Sequence, residues 1–168
     1  EELLGAVVTA RGDRTTPVFL KIAPDLADGD LQDIAETVLA KRIDGIIVSN
    51  TTLSRNGLRS PLAKEAGGVS GRPLFQRATI MLAKMRKLVG PNLPLVGVGG
   101  VASTETALEK IRAGADLVQV YTGMVYGGPT LAGEIVRGMS AFAAKEGLGS
   151  IRDIKGTRTD YWAGQNPD

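Results

Sequence analysis

Four short apolar runs, separated by stretches with helical periodicity, constrain the fold of this chain more than any other feature. They span residues 17–24, 45–50, 93–100 and 115–123, and each is rich in Val, Ile and Leu. The runs are nearly continuous instead of alternating between apolar and polar residues, as is typical of parallel strands that are covered on both faces. The sequence therefore predicts four buried parallel strands.

Amphipathic helices are predicted between these strands, because apolar residues recur there at helical spacing. The first eight residues resemble the end of an earlier helix. We place the other helices from a cap at Asp30 through Leu39, from near Pro73 to Leu88, from Ser103 or Thr104 to Gly114, and from Pro129 through Phe142. Strands that alternate with helices indicate right-handed βαβ units.

Two architectures fit four such units: a small doubly wound sheet, or part of a (β/α)8 TIM barrel. Polar or glycine residues follow every predicted strand, namely Lys21, Ser49 to Thr51, Gly97 to Gly100, and Tyr121 with Thr122. A barrel places its active site at the carboxyl ends of its strands. We therefore predict an α/β chain that supplies part of a (β/α)8 barrel, with residues 1–168 in one domain.

Composition excludes several classes of site. The 168 residues include no Cys and no His, so disulfides, zinc sites of the usual kind and His-based triads are excluded within this segment. A net charge of +2 is too balanced to suggest nucleic-acid binding. The acidic residues between 25 and 33 are interpreted as a helix cap and a solvated helix face, and no metal site is predicted.

The glycine-rich segment Gly97 to Gly100 follows the third strand. Its backbone N–H groups could approach a phosphate, and the helix that starts near Ser103 would bring its positive end close. The fourth strand ends in "QVYTG", which precedes a short helix near Met124. Barrels commonly bind phosphate at two such neighbouring loops. The alternative is a tight turn that needs a positive φ.

Lys21 and the segment "VSNTT" (48–52) are the other candidate site residues. Lys21 interrupts an apolar strand, where it could neutralise an anion, or protect an edge strand from aggregation. Asn50 offers donors and an acceptor that suit an amide or ureide edge, and the alternative is an Asx turn. The segment "GGVSG" (67–71) could be a lid over a flat ligand.

Together these segments resemble the FMN-dependent dihydroorotate dehydrogenases, particularly the quinone-reducing class 2. The resemblance covers most of the chain and keeps the order of the family's motifs. It rests on "KIAPDL" (21–26), "DGIIVSNTT" (44–52), "GGVSGRPL" (67–74), "PLVGVGGV" (94–101), "ALEKIRAGADLVQVYTG" (107–123) and "GGP" (127–129).

The resemblance implies a (β/α)8 barrel with FMN bound at its top, to which this chain contributes roughly the second half, strands five to eight. It implies pyrimidine contacts from Asn50 and Thr51. It implies flavin contacts from Lys21, Ser49, Gly71 and Gly100, and phosphate contacts from Tyr121 and Thr122. Ser49 stands where the family often has Thr.

The implied activity is oxidation of (S)-dihydroorotate to orotate in pyrimidine biosynthesis, with quinone as the electron acceptor. The family's catalytic base precedes the lysine segment, and nothing before Lys21 resembles that loop, so no catalytic base is assigned. We expect the chain to be a piece of a longer enzyme and inactive alone, since four strands cannot close a barrel. Its expected partner is the other barrel half, which would carry the association with the inner membrane, cytoplasmic or mitochondrial.

Two alternatives are kept: another FMN- or phosphate-binding barrel oxidoreductase, and a non-catalytic half-barrel that binds a ligand or a partner chain. Flavin absorbance would separate the enzymes from the binding module. Turnover of dihydroorotate would separate the two enzymes from each other.

Overall fold

A computed structural model describes residues 1–167 and confirms the alternation of helices and strands. The strands are β1 (Phe19–Ile22), β2 (Gly45–Val48), β3 (Leu95–Gly97) and β4 (Leu117–Val118). The helices are α1 (Glu2–Arg11), α2 (Asp28–Ala40), α3 (Phe75–Val89), α4 (Thr104–Arg112), α5 (Thr122–Gly127), α6 (Leu131–Lys145) and α7 (Thr159–Ala163). Short 3₁₀ turns lie at Pro61–Lys64, Arg72–Leu74 and Ile151–Ile154.

The four strands form one parallel sheet in the order β1-β2-β3-β4. Across the register, Lys21 pairs with Ile47, Ile47 with Val96, and Val96 with Leu117. Every strand is shorter than the apolar run that predicts it, because each run continues past the carboxyl end of its strand and all but the second also begin before it. The predicted α/β class with a parallel sheet is confirmed.

Helix boundaries follow local capping, with one correction. Ser103 caps α4 as predicted, since its hydroxyl accepts a hydrogen bond from the Thr106 N–H. Asp30, predicted as the cap of α2, lies inside the first turn, and the helix begins at Asp28. The Asp30 carboxylate instead accepts a hydrogen bond from the Ala27 N–H at 3.1 Å, which explains why a helix-start signal was visible there.

The core lies between the sheet and α2, α3 and α4. Leu20 and Ile22 face this core, as do the fully buried Ile46 and Val48. The opposite face of the sheet is open: Phe19 is 37% exposed and Leu117 is 60% exposed. Both outer strands also have an unpaired edge. An uncovered apolar face and two free edges are what a segment of a closed barrel would present.

The C-terminal segment packs against the body of the fold. Helix α7 lies on α3, and the rings of Trp162 and Phe75 meet edge to face with centroids 6.1 Å apart. The Trp162 indole N–H donates to the Glu109 carboxylate at 3.0 Å. This contact ties the end of the chain to α4.

A buried arginine secures the amino-terminal ends of β3 and β4. The side chain of Arg86 is 8% exposed and donates to the backbone carbonyls of Gly90, Leu93 and Gly114. It also pairs with Asp116. Burial alone would raise the pKa of Asp116, but hydrogen bonds from Lys155 and the Leu95 N–H, with the nearby Arg86 charge, hold it below its usual value.

We expect Arg86→Met to lower the free energy of unfolding by about 3–5 kcal/mol, because it leaves three carbonyls without their donor and removes one of the two cations that pair with Asp116. Urea unfolding of the protein that contains this chain measures the loss. Lys84→Met breaks a more exposed ion pair with Asp28 and should cost about 1 kcal/mol or less. Equal losses for the two variants would contradict this assignment.

Candidate functional site

The carboxyl ends of the four strands open into one cleft with two connected parts. The larger part has a volume of about 620 Å³ and the smaller about 320 Å³. The two parts share six lining residues: Ser70, Gly71, Gly100, Val101, Thr122 and Gly123. Volumes of this size are typical of small-molecule and cofactor sites.

All eight site residues predicted from the sequence line this cleft. Gly71, Gly100 and Thr122 border both parts. The others border the smaller part: Lys21, Ser49, Asn50, Thr51 and Tyr121. The structure therefore brings together residues that lie up to 101 positions apart in the chain, and the ligand of each remains a prediction.

Lys21 projects from the open face of the sheet. Its neighbours Leu20 and Ile22 face the core, so the alternation of the strand turns Lys21 the other way, on the same side as Phe19. No ion pair or hydrogen bond of its ammonium is found within residues 1–167. Its positive charge therefore stands at the rim of the cleft, where it can meet an anion.

Backbone hydrogen bonds from the neighbouring strands fix the segment after β2. The Asn50 N–H donates to Ile22 O at 2.8 Å. Ser49 is 2% exposed, and its hydroxyl donates to Asn50 O. The Asn50 carboxamide oxygen accepts from the Thr51 N–H at 2.9 Å. A local hydrogen bond of this kind is what the turn interpretation of Asn50 predicts. It leaves the carboxamide NH₂ group available for a ligand.

The small size of two glycines near the end of β3 serves the packing of helices against the sheet. A Cβ on Gly97 would lie 3.1–3.2 Å from Lys110, Ala115 and Leu82, on the helical side of the sheet. A Cβ on Gly100 would lie 2.4 Å from Phe75 Cβ and 2.6 Å from Phe75 Cα. These glycines therefore let α3 and α4 pack closely, instead of making room for a ligand. Gly99 and Gly100 still line the cleft, and both have a positive φ.

Local hydrogen bonds engage three backbone N–H groups around the start of α4. The Ala102 and Ser103 N–H groups both donate to the Thr106 hydroxyl, and the Thr106 N–H donates to Ser103. A hydrogen bond with Ser103 also lowers the pKa of Glu105, which places a carboxylate at this helix end. The loops that carry Gly71, Gly100 and Thr122 border both parts of the cleft and can offer further donors to an anion.

Two polar residues of the cleft, Ser70 and Gln119, were not assigned as contact residues from the sequence. The Thr122 hydroxyl donates to Ser70 Oγ at 2.9 Å, which joins the loop before α3 to the start of α5. Gln119 lines the smaller part of the cleft beside Tyr121. The sequence did contain a signal for Gln119. It is a polar residue two positions before Tyr121, and side chains two positions apart on a strand point to the same face.

The interpretation of Asp25 as part of a solvated helix face is wrong. Its carboxylate accepts hydrogen bonds from the Thr52 hydroxyl and from the Leu53 N–H at 2.9 Å. It lies before α2, not on it. Asp25 therefore connects the loop after β1 to the loop after β2.

Lys110 lies beneath the glycine loop and is fully buried. Its ammonium donates to the Thr79 hydroxyl at 2.8 Å and stands 4.8 Å from the centre of the Phe75 ring. Burial holds the pKa of Lys110 well below its usual value of 10.5. Between the folded pKa and 10.5, the unfolded chain therefore binds more protons than the folded one, so stability rises with pH and falls as the pH is lowered through this window.

Lys110→Met should remove this contribution, which has a slope of at most about 1.4 kcal/mol per pH unit. Unfolding free energies measured across the alkaline range give the slope. The exposed Lys145, in the last turn of α6, provides a control, and Lys145→Met should retain the wild-type slope. A Lys110→Met protein with the wild-type slope would show that Lys110 keeps its ordinary pKa in the fold.

The cleft fits an elongated anionic ligand. Its wider part is bordered by three loops with glycine backbone, by the hydroxyls of Ser70 and Thr122, and by Arg72. Its narrower part carries the Lys21 ammonium and the Asn50 carboxamide. A site with phosphate-type donors at one end and a cation with amide groups at the other, on the carboxyl ends of parallel strands, is typical of barrel proteins that bind phosphorylated cofactors.

Comparison with known proteins identifies the family. The family model described as "Dihydroorotate dehydrogenase" matches residues 1–142, which is most of the chain. The chain is 61% identical to a dihydroorotate dehydrogenase (quinone) of Rhizobium meliloti over 98% of its own length, and 61% identical to that of Mesorhizobium japonicum over 96%. The chain therefore belongs to the dihydroorotate dehydrogenase family, as the sequence motifs predict.

A solved structure supports the same assignment. The chain superposes on dihydroorotate dehydrogenase of Eimeria tenella, crystallised in complex with ferulenol, with a TM-score of 0.79 and 38% identity. The match covers 84% of this chain and 38% of that one. Its solved relatives are TIM barrels, so the predicted fold class is confirmed. The chain spans 47% of the length of the Rhizobium meliloti relative.

Two kinds of feature, a membrane-spanning helix and a metal-binding cluster, are absent from residues 1–167. No helix there is both long and apolar enough to cross a membrane. No group of three or more His, Cys, Asp or Glu side chains in the same range is arranged to hold a metal ion.

Proposed function

We propose that the protein to which this chain belongs oxidises (S)-dihydroorotate to orotate, with FMN as cofactor and quinone as electron acceptor, in pyrimidine biosynthesis. Members of the family are flavin-dependent in general. The main support for this proposal is the cleft itself. All eight predicted contact residues line it, at the carboxyl end of the sheet. The quinone specificity rests on the names of the relatives.

The wide part of the cleft is proposed to hold the FMN phosphate. The backbone N–H groups of Gly71, Gly100 and Thr122 supply donors there, and so does the Ser70 hydroxyl, which accepts a hydrogen bond from the Thr122 hydroxyl. Tyr121 begins the same loop as Thr122. The Tyr121 ring is 81% exposed, so its proposed contact uses the backbone. Backbone and hydroxyl donors suit a phosphate because they are fixed before it binds.

The narrow part is proposed to hold the reacting rings. Bound FMN would accept hydride from the substrate. The Lys21 ammonium is placed to stabilise the negative charge that reduction creates, and Ser49 closes the floor of the site. Asn50 and Thr51 would orient the pyrimidine through amide and hydroxyl hydrogen bonds. None of the cleft residues in this chain is assigned as the base that takes the substrate proton.

The open face of the sheet supports a further part of the proposal. Phe19 and Leu117 are exposed there beside the unpaired edges of β1 and β4. We propose that the other half of a (β/α)8 barrel covers this face and that the present chain forms strands five to eight. Association with the inner membrane and contact with quinone would belong to that other half.

The cofactor and the turnover of the purified full-length protein test this function. We expect one FMN per protein, identified by mass after extraction. We also expect orotate formation with a soluble quinone, and much slower turnover with fumarate or NAD as the acceptor. Purification without flavin would favour a non-catalytic binding module, and flavin without oxidation of dihydroorotate would favour another flavin-dependent barrel oxidoreductase.

A further inference from the structure

Three loops meet around the carboxylate of Asp25. Its Oδ1 accepts a hydrogen bond from the Thr52 hydroxyl at 2.5 Å, and its Oδ2 accepts one from the Leu53 N–H. The partners are 27 and 28 residues away in the chain, so these bonds join the loop after β1 to the loop after β2. A carboxylate with both oxygens engaged fixes the position of its partners more firmly than a single contact would.

The same threonine is joined to the loop before α3. Thr52 is 4% exposed, its N–H donates to Val69 O at 3.1 Å, and the Val69 N–H donates to Thr52 O at 2.8 Å. The next residue back, Gly68, touches the Thr51 side chain so closely that a Cβ would lie 1.9 Å from the Thr51 hydroxyl. The loops after β1 and β2 and the loop before α3 are therefore held together at Thr52.

Asp25 is itself anchored from the body of the fold. The guanidinium of Arg77, on α3, lies 3.6 Å from Asp25 Oδ1, and the Arg77 side chain is only 14% exposed. Since α3 packs against the sheet and α2, the carboxylate stands on a rigid support.

The residues next to this junction belong to the cleft. Asn50 and Thr51 directly precede Thr52, and Ser70 and Gly71 directly follow Val69. Asp25 does not line the cleft. A shift of Thr52 would move Asn50 and Thr51, the proposed pyrimidine contacts, directly, and would reach Ser70 and Gly71 only through Val69.

We propose that Asp25 is a positioning residue, which acts through Thr52 to hold Asn50 and Thr51 in the geometry that binds the pyrimidine. This inference rests on the proposed function, because the KM for dihydroorotate is one of its tests. It adds a role to Asp25, which would touch neither the cofactor nor the substrate.

Asp25→Ala in the full-length protein tests the role, with Asp28→Ala as the matched control. Asp28 lies three residues further on and forms an exposed ion pair with Lys84, away from the cleft. We expect Asp25→Ala to raise the KM for dihydroorotate roughly tenfold or more, with a smaller fall in kcat and nearly full FMN content, because the pyrimidine contacts are misplaced. Asp28→Ala should change neither constant. Unchanged KM in Asp25→Ala would overturn the proposal.

Hydrogen exchange provides a readout that does not depend on activity. Asp25→Ala should speed amide exchange in peptides that cover residues 50–54 and 67–71, and Asp28→Ala should not. Unchanged exchange in both regions would overturn the proposal even if the protein had another substrate, which separates its failure from that of the proposed function.

Thr52→Val keeps the side-chain shape and removes the hydroxyl that donates to Asp25, together with the bond that this hydroxyl accepts from the Ser54 N–H. It should reproduce the KM and exchange effects in part, and it serves if Asp25→Ala does not fold. In the double variant, the Thr52→Val change should add little to Asp25→Ala, because both remove the same contact. Full additivity of the two effects on KM would contradict a shared role.

Discussion

Replacing Lys21 with methionine should slow the reduction of bound FMN by dihydroorotate roughly 10²- to 10³-fold. The Lys21 ammonium is the cation that this chain presents at the narrow end of the cleft, and methionine keeps the length of the side chain without its charge. The loss of one preorganised electrostatic contact to developing charge typically costs this much in rate. Anaerobic single-turnover kinetics measure the effect without a contribution from quinone.

Two comparisons make this result specific. Lys145→Met, which removes an exposed lysine at the end of α6, should leave the rate unchanged. Lys21→Arg retains the charge and should recover part of the lost rate. A Lys21→Met protein with full flavin content and a near-normal reduction rate would show that the lysine has no electrostatic role, and would favour its alternative function as a protector of an edge strand.

Gly100→Ala should abolish stable cofactor binding. The new Cβ would lie 2.4 Å from Phe75 Cβ and 2.9 Å from Phe75 N, and the positive φ of 74° adds strain. Relief of this clash must move either the glycine loop, which borders the cleft, or the start of α3, which directly follows the cleft residues Arg72 and Pro73. We expect at least a tenfold loss of FMN affinity, which corresponds to about 1.4 kcal/mol. Flavin content after dialysis and an FMN titration of the apoprotein measure it.

Gly90→Ala is a matched control for backbone strain. Gly90 has nearly the same φ, 72°, but a Cβ there would meet nothing within 4 Å. It should therefore cost only about 1–2 kcal/mol of stability and leave FMN binding intact. Equal loss of FMN from the two variants would attribute the effect to general destabilisation and not to the Gly100 contact.

The sheet was predictable because its signal is local. Strands of parallel sheets are typically nearly continuous apolar runs, and the runs around Ile46 and Leu95 are too short for helices. Lys21 was visible for the same reason, since one charge inside such a run is conspicuous. The strand ends were less visible, because apolar residues that continue into turns carry no boundary signal.

Contacts between distant segments were not predictable. Asp25 lies among four aspartates with the pattern of a helix start, and only the fold reveals that its partner is Thr52. Gly99 and Gly100 line the cleft, whereas Gly97 lies in β3 and does not. The small size of Gly97 and Gly100 serves the packing of Lys110 and Phe75, which lie in other elements. Lys110 itself occupies a position whose burial depends on how α4 meets α3.

The most direct test is an anaerobic titration of the oxidised full-length protein with (S)-dihydroorotate. We predict that the visible absorbance of the oxidised flavin disappears at one equivalent of substrate per FMN and that an equal amount of orotate forms. Added quinone should then restore the absorbance. Flavin absorbance that persists in excess dihydroorotate, with no orotate formed, would contradict the assignment of this cleft as the site of dihydroorotate oxidation.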